Sequence, residues 1–283
     1  RYRGDAERPT VLNIPAGSPE AVRVQGAAYV ILENVIIRGG DRHGVVIEKS
    51  HDIRIRRCDI AGWGEMGTPQ PGLKNGLYVD GKGKVINLHA GVQISPGTSR
   101  IVVEENFIHS PRGTANSWRN GHPNGPQGVI IHSTEGNHVV RNNDIIGNEQ
   151  HWWNDAIESL FNERRNGGPY RDTDIHGNVL AFSNDDGTEL DGGQINVRYF
   201  DNWIQWAFCG VSCAPNMAGP SYVFRNLFVL GDERNRANCG FKIGGARLPF
   251  QGMIFLFNNT VVSENAGLGT GMYGPGPSPF VSR

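Results

Sequence analysis

The sequence predicts an all-β fold, a single-domain right-handed parallel β-helix of about seven to nine coils. Three observations carry this expectation: a recurring Asn-x-apolar phase, a second phase in which a small residue opens a short strand, and a composition dense in corner residues. The 283 residues include 39 Gly, 16 Pro and, counted along the chain, 26 Asn. Glycine at that density costs about 1 kcal/mol per interior helix position, which argues against a helical bundle.

The first phase reads Asn34-Val35-Ile36, Asn106-Phe107-Ile108, Asn143-Asp144-Ile145, Asn178-Val179-Leu180, Asn202-Trp203-Ile204, Asn226-Leu227-Phe228 and Asn259-Thr260-Val261. Cys58-Asp59-Ile60 takes the same place once. From Cys58 onward, five of these steps are 48, 37, 35, 24 and 24 residues. The shortest step, 24, sets the coil length; 48 reads as twice that, and the others as one coil plus an insertion. An Asn row suits a bend, because Asn tolerates left-handed backbone angles and its amide bonds up and down a stack. Insertions are expected near residues 61–88, 110–126, 149–172 and 229–238 of the one domain, 1–283.

The second phase reads His43-Gly44-Val45-Val46, Ala90-Gly91-Val92-Gln93, Gln127-Gly128-Val129-Ile130, Asp155-Ala156-Ile157-Glu158, Asp186-Gly187-Thr188-Glu189, Cys209-Gly210-Val211-Ser212 and Cys239-Gly240-Phe241-Lys242. Alternation within a strand places the residue two past the small one outward. The outward column is then Val46, Gln93, Ile130, Glu158, Glu189, Ser212 and Lys242. Rungs stack about 4.8 Å apart, so equivalent residues are neighbours.

Acids converge on two successive rungs, Asp155 and Glu158, then Asp185, Asp186, Glu189 and Asp191. Like charges directly opposite one another destabilise a sheet. Such a cluster persists if one member holds a proton, if a cation lies between them, or if basic side chains flank them. The first solution is a general acid with a nucleophile or base; the second is a calcium site of hard oxygens. Two structural alternatives remain. The carboxylates could accept loop N–H bonds only, or residues 149–166, free of Gly and Pro until 167, could form a short surface helix.

Around the acids stand groups suited to a sugar. Trp152 and Trp153 precede Asp155, and Trp203 and Trp206 follow a coil later; flat rings stack on pyranose faces. Arg164, Arg165, Arg171 and Arg198 either neutralise the acids or clamp a uronate. His132 lies one coil before the acids, and residues 113–126, with Trp118, Arg119 and His122, form a long insertion able to wall a cleft. No histidine pair has zinc-like spacing.

The repeat and composition resemble the pectate-lyase-like superfamily of carbohydrate-active β-helices over about residues 22–262. Asp185-Asp186-Gly187-Thr188-Glu189 resembles the Asp-Asp-Gly-x-Asp run with which family 9 polysaccharide lyases hold calcium, Glu189 replacing the last aspartate. Under that resemblance Asp185, Asp186 and Glu189 are the metal ligands and Lys242 is a candidate base. Asn154-Asp155 with Asp185-Asp186 resembles the carboxylate coils of family 28 polygalacturonases, but Cys209-Gly210-Val211 stands where that family has Gly-His-Gly.

The expectation that follows is a carbohydrate-active enzyme, first a glycoside hydrolase with Glu158, Glu189, Asp155, Asp186 and Asp191 as its acid and base or nucleophile and no cofactor. Trp152, Trp153, Arg164, Arg198, Lys242 and His132 would bind the substrate, a polysaccharide or oligosaccharide. The alternatives are a Ca²⁺-dependent polysaccharide lyase acting on a uronate and a non-catalytic carbohydrate-binding solenoid. A balance of 27 basic and 28 acidic residues gives no bulk basicity for nucleic acid, and no apolar run is long enough to span a membrane. Residues 1–5 lack a signal-peptide core. Cys209 and Cys239 share a column at disulfide spacing, with Cys213 as another partner, which suits a secreted or periplasmic protein.

Overall fold

The structure, a computed structural model, describes residues 1–5, 10–70, 76–231, 239–244, 252–263, 266–270 and 280–282. Among these residues there are 28 strands and no helix. Ten strands, from Tyr2–Arg3 to Phe280–Ser282, stack in parallel into one face, so nine turns separate its first and last rung. The other two faces join into a 16-stranded sheet, because Val179–Glu189 and Trp203–Ser212 run through the corner between them. Among the described strands the one antiparallel pair is Thr68–Pro69 with Tyr78–Val79, inside the insertion at 61–88.

The repeat has a direct physical basis. Interior positions form continuous rows such as Ile37, Ile60, Ile108, Ile145, Leu180, Ile204 and Phe228, each in register with the next and fully buried. Two residues before that row runs the Asn ladder. The Nδ2 of Asn106 donates to Oδ1 of Asn143, which repeats to Asn178, Asn202, Asn226 and Asn259 at 2.9–3.0 Å. Each backbone N–H in the ladder donates to the same next oxygen, starting with Cys58 to Asn106 (3.0 Å).

The glycine column answers this row from the facing strand. A Cβ at Gly44, Gly128 or Gly187 would lie 2.7, 2.2 or 2.6 Å from the Cγ2 of Ile60, Ile145 or Ile204. Glycine is therefore required where the two faces converge on the apolar row.

Four expectations are corrected here. The left-handed corner residue is not the ladder Asn but the one before it: Glu105, Asn142, Asp201, Arg225 and Asn258 have φ of 54–56°. Asn34 (φ 54°) is such a corner residue, and Val35 takes the ladder place, since Glu33 pairs with Arg56. The 48-residue step is one coil, not two, because His51–Arg56 pairs directly with Ser99–Glu104. Residues 149–166 form no helix; they contribute the strand Ile157–Leu160, where the pairing demands of the solenoid override local helical spacing. The insertion expected near 229–238 lies mostly outside the described residues.

Candidate active site

Five successive rungs position the acidic cluster. Ile130 pairs with Glu158, Ile157 with Thr188, Glu189 with Ser212, and Ser212 with Lys242. Glu158 and Glu189 each follow one member of the Ile157/Thr188 pair, so they stand opposite one another, and Lys242 lies two rungs beyond Glu189 in the same column. The backbone is bent here: the register shifts between Ser183 and Asp186, which turns Asp185 and Asp186 toward Asp155.

The hydrogen bonds knit the cluster together. The Asp186 N–H donates to Oδ1 of Asp155 (2.7 Å), and Nδ2 of Asn154 donates to Asp155 (2.9 Å) and Glu158 (3.3 Å). Asn162 donates to Glu189 (2.9 Å), with the Ser159 hydroxyl 3.4 Å from the same oxygen. Asp191 accepts from the Ser212 hydroxyl (2.7 Å) and the Ala214 N–H (2.6 Å), which ties it to the next turn. Lys242 donates to Oδ2 of Asp186, and both side chains are buried.

Burial sets the electrostatics. It is the leading cause that raises the carboxyls of Asp155, Glu158, Glu189 and Asp191, and neighbouring carboxylates add to it. Oxygens of Glu158 and Glu189 lie within 4.8 Å of each other, and the charge on Glu189 raises the Glu158 carboxyl further. Asp186 is pushed up to about 7 by burial, against the pull of Lys242. Burial opposes the charge on Lys242, yet Asp186, Asp185, Asp191 and Glu189 together raise its pKa.

The donor set fits a hard cation. Oxygens of Asp155, Asp185 and Asp186 lie within 4.8 Å of one another, as do those of Asp155, Glu158 and Glu189. Two metal–oxygen bonds of about 2.4 Å span such a gap. Oδ1 of Asp186 and Oδ1 of Asn154 are buried without a hydrogen-bond partner, the state expected of atoms whose partner is an ion.

The remaining candidates are placed differently. Trp153 is fully buried and stacks on Trp63 (6.0 Å, 6° between planes), so it fills the core that the insertions widen and offers no face to a sugar. Trp152 is also buried, edge-on to Phe182 and fixed by Thr114. Arg198 lies on the ten-stranded face, paired with Asp174 (2.9 Å), not beside the acids. Arg164 lies 4.2 Å over the Phe161 ring, and half-buried His132 stacks on the same ring. Cys209 and Cys239 stack as expected but remain thiols, Sγ atoms 3.6 Å apart; Cys213 is also a thiol.

Four further residues complete the site, of which the sequence pointed only to Trp118 and His122, as part of the insertion able to wall a cleft. Asn162 and Ser159 hold Glu189, and nothing but their proximity to Glu158 in the chain marks them. Trp118 and His122 reach Asp185, Nε1 to Oδ1 at 3.3 Å and Nε2 to Oδ2 at 3.4 Å, and Trp118 stacks on Phe208. The signal for these two was the length and polarity of their insertion.

The fold and this cluster define a right-handed β-helix with a buried acid–lysine site on one face. The family described as "Right handed beta helix region" matches residues 20–226, and the chain belongs to it. Among solved structures, it is similar to an alginate lyase from Paenibacillus sp. str. FPU-7, with 11% identity and a TM-score of 0.60 over 96% of this chain and 86% of that one. It is also similar to the periplasmic alginate epimerase AlgG, with 12% identity and a TM-score of 0.41 over 89% of this chain and 48% of that one. At these identities the likeness is one of fold. No curated protein matches the sequence.

Proposed function

We propose that this chain is an exported polysaccharide-degrading enzyme that cleaves a uronate-containing polymer by β-elimination, with calcium held by Asp155, Asp185 and Asp186. The observation that carries this reading is the arrangement about Asp186. One of its oxygens accepts from Lys242 while the other is buried without a hydrogen-bond partner, and an Asp186 oxygen lies within 4.8 Å of oxygens of Asp155 and Asp185. A cation bound by these acids would sit beside a basic side chain. The fold likeness to an alginate lyase supports the same reaction class.

Bound there, calcium would draw charge from the substrate carboxylate and so acidify the proton at C5. Asp186, Asp185, Asp191 and Glu189 raise the Lys242 pKa, and offsetting their charge would let Nζ, positioned by Asp186, give up its proton and accept that of C5. Glu158 and Glu189, both carboxyls raised by burial, flank the corner, and Asn162 and Ser159 orient Glu189. The hydrolase that the sequence favoured is less well supported. Its two carboxyls should stand about 5–5.5 Å apart for retention, or wider for inversion, with the sugar between them. Oxygens of Asp155, Glu158 and Glu189 instead lie within 4.8 Å of one another, a cluster of three acids that suits a cation better than a sugar held between two of them.

The test is digestion of neutral and uronic polysaccharides with calcium and with a chelator, scored for reducing ends and for the ultraviolet absorbance of unsaturated uronate. Calcium-dependent unsaturated product is expected from a uronate polymer. Reducing ends without unsaturation would restore the hydrolase, and binding without cleavage would make the chain a carbohydrate-binding solenoid.

A further inference from the structure

Outward side chains on a β-helix face have solvent above them unless an insertion folds over the face. On the acid-bearing face, the outward column is closed on both sides of the two acidic rungs. Ile130, on the rung before the acids, is 1% exposed, and Ser212, on the rung after Glu189, is fully buried, while farther back Gln93 is half-buried and Val46 is 3% exposed. An outward residue reaches such burial only under a second layer.

That layer is built by interlocked insertions. The Arg112 N–H donates to the Trp63 carbonyl (2.8 Å), Ala115 N–H to that of Trp152 (2.9 Å), and Gly125 N–H to Oδ1 of Asn87 (3.0 Å). The Glu65 N–H reaches Nδ1 of His89, and Nε2 of Gln127 reaches Asn87, which anchors the layer to the face itself. Trp118 and His122 carry it along the axis as far as Asp185. Glu189, by contrast, is only half-buried. Phe161, 40% exposed and flanked by His132 and Arg164, directly precedes Asn162, which donates to Glu189.

A polymer that is cut internally must lie along the column on both sides of the reacting bond. Here that path is occupied, and the approach beside Glu189 and Phe161 admits a chain end. Resting on the β-elimination reading above, we infer that the enzyme is exolytic: it takes the terminal units of a uronate chain, past the Phe161–Arg164 rim, and releases short products.

The experiment follows specific viscosity, total reducing ends and unsaturation together during digestion of a long uronate polymer. The expected result is accumulation of one short unsaturated product from the earliest time point while viscosity is almost unchanged. A rapid viscosity loss with a ladder of intermediate lengths would overturn the exolytic assignment while leaving elimination intact. Slow viscosity loss with saturated products would keep chain-end attack and overturn elimination. No cleavage of any uronate polymer would overturn both. An Arg164→Ala variant is expected to raise KM with kcat little changed, and an unaltered KM would remove Arg164 from the entry.

Discussion

Lys242 donates to Oδ2 of Asp186 from 56 residues away in sequence, through two rungs of stacked strand, and both groups are buried. A buried pair of this kind punishes removal of one member, by about 3–5 kcal/mol, because the other charge is left unpaired. Lys242→Met should therefore lose activity and stability together. Lys242→Arg separates the two effects, since a guanidinium keeps the charge but does not give up its proton. The expectation for Lys242→Arg is a melting temperature close to the parent and a kcat lower by about 10²–10⁴, the range for loss of a general base. Full activity in that variant would remove Lys242 as the base.

Calcium should stabilise the protein through the same corner. An ion that binds the native state alone adds about 2.7 kcal/mol at a hundredfold excess over its Kd. Thermal melts with and without calcium should show that gain in the parent chain and lose it in Asp155→Asn and Asp185→Asn. Calorimetric titration provides the binding isotherm independently of any turnover. If the two variants bind calcium as the parent does, the ion is held elsewhere.

How far the sequence made this legible depends on how many physical demands a position serves. The ladder from Asn106 to Asn259 was readable because a hydrogen-bonded stack needs the same side chain on every rung. Asn34 was misplaced by one residue because Asn is also favoured at the left-handed corner, so one residue type answers two needs. The column that sets Glu158 against Glu189 and leads to Lys242 followed from strand alternation alone. Trp153 was not readable: its partner Trp63 comes from another coil's insertion, and no local pattern marks an aromatic as core filler there. Arg198 looked close to the acids in sequence but belongs to a different face, where Asp174, 24 residues upstream, meets it one rung away.

The raised carboxyls of Glu158 and Glu189 make stability depend on pH. Both carboxyls are raised above their ordinary values, burial being the first cause for each. The native state then binds more protons than the unfolded chain above the unfolded carboxylate pKa, about 4.3 for Glu. Stability from this pair is accordingly present at low pH and falls as pH rises through the raised native values. Glu189→Gln removes one charge and keeps the shape, so it should flatten that fall and raise the melting temperature above neutral pH. Melting curves across pH for the two proteins check it. A variant destabilised equally at every pH would mean that Glu189 serves only as a hydrogen-bond acceptor for Asn162.

The last prediction concerns the coupling between the Asn ladder and the glycine column, on which every rung of the site depends. Asn178 donates to the Val140 carbonyl and to Asn202, and its oxygen accepts both the backbone N–H and the side chain of Asn143. Asn178→Ala would strand those partners without water, at about 1–3 kcal/mol for each group left unsatisfied. Gly128→Ala attacks the same layer from the facing strand. Its Cβ would lie 2.2 Å from Cγ2 of Ile145 and 2.7 Å from the Ala156 carbonyl oxygen, and backbone at that distance cannot step aside cheaply. Ile145→Val in the Gly128→Ala background retains the Cγ2 branch and does not move the Ala156 carbonyl, so it should rescue little. Urea melts should show both single variants well below the parent midpoint. The Gly128→Ala variant should also weaken calcium-dependent stabilisation, because the displaced Ala156 adjoins Asp155. If Gly128→Ala melts like the parent, the two faces are farther apart there than the row of buried isoleucines requires.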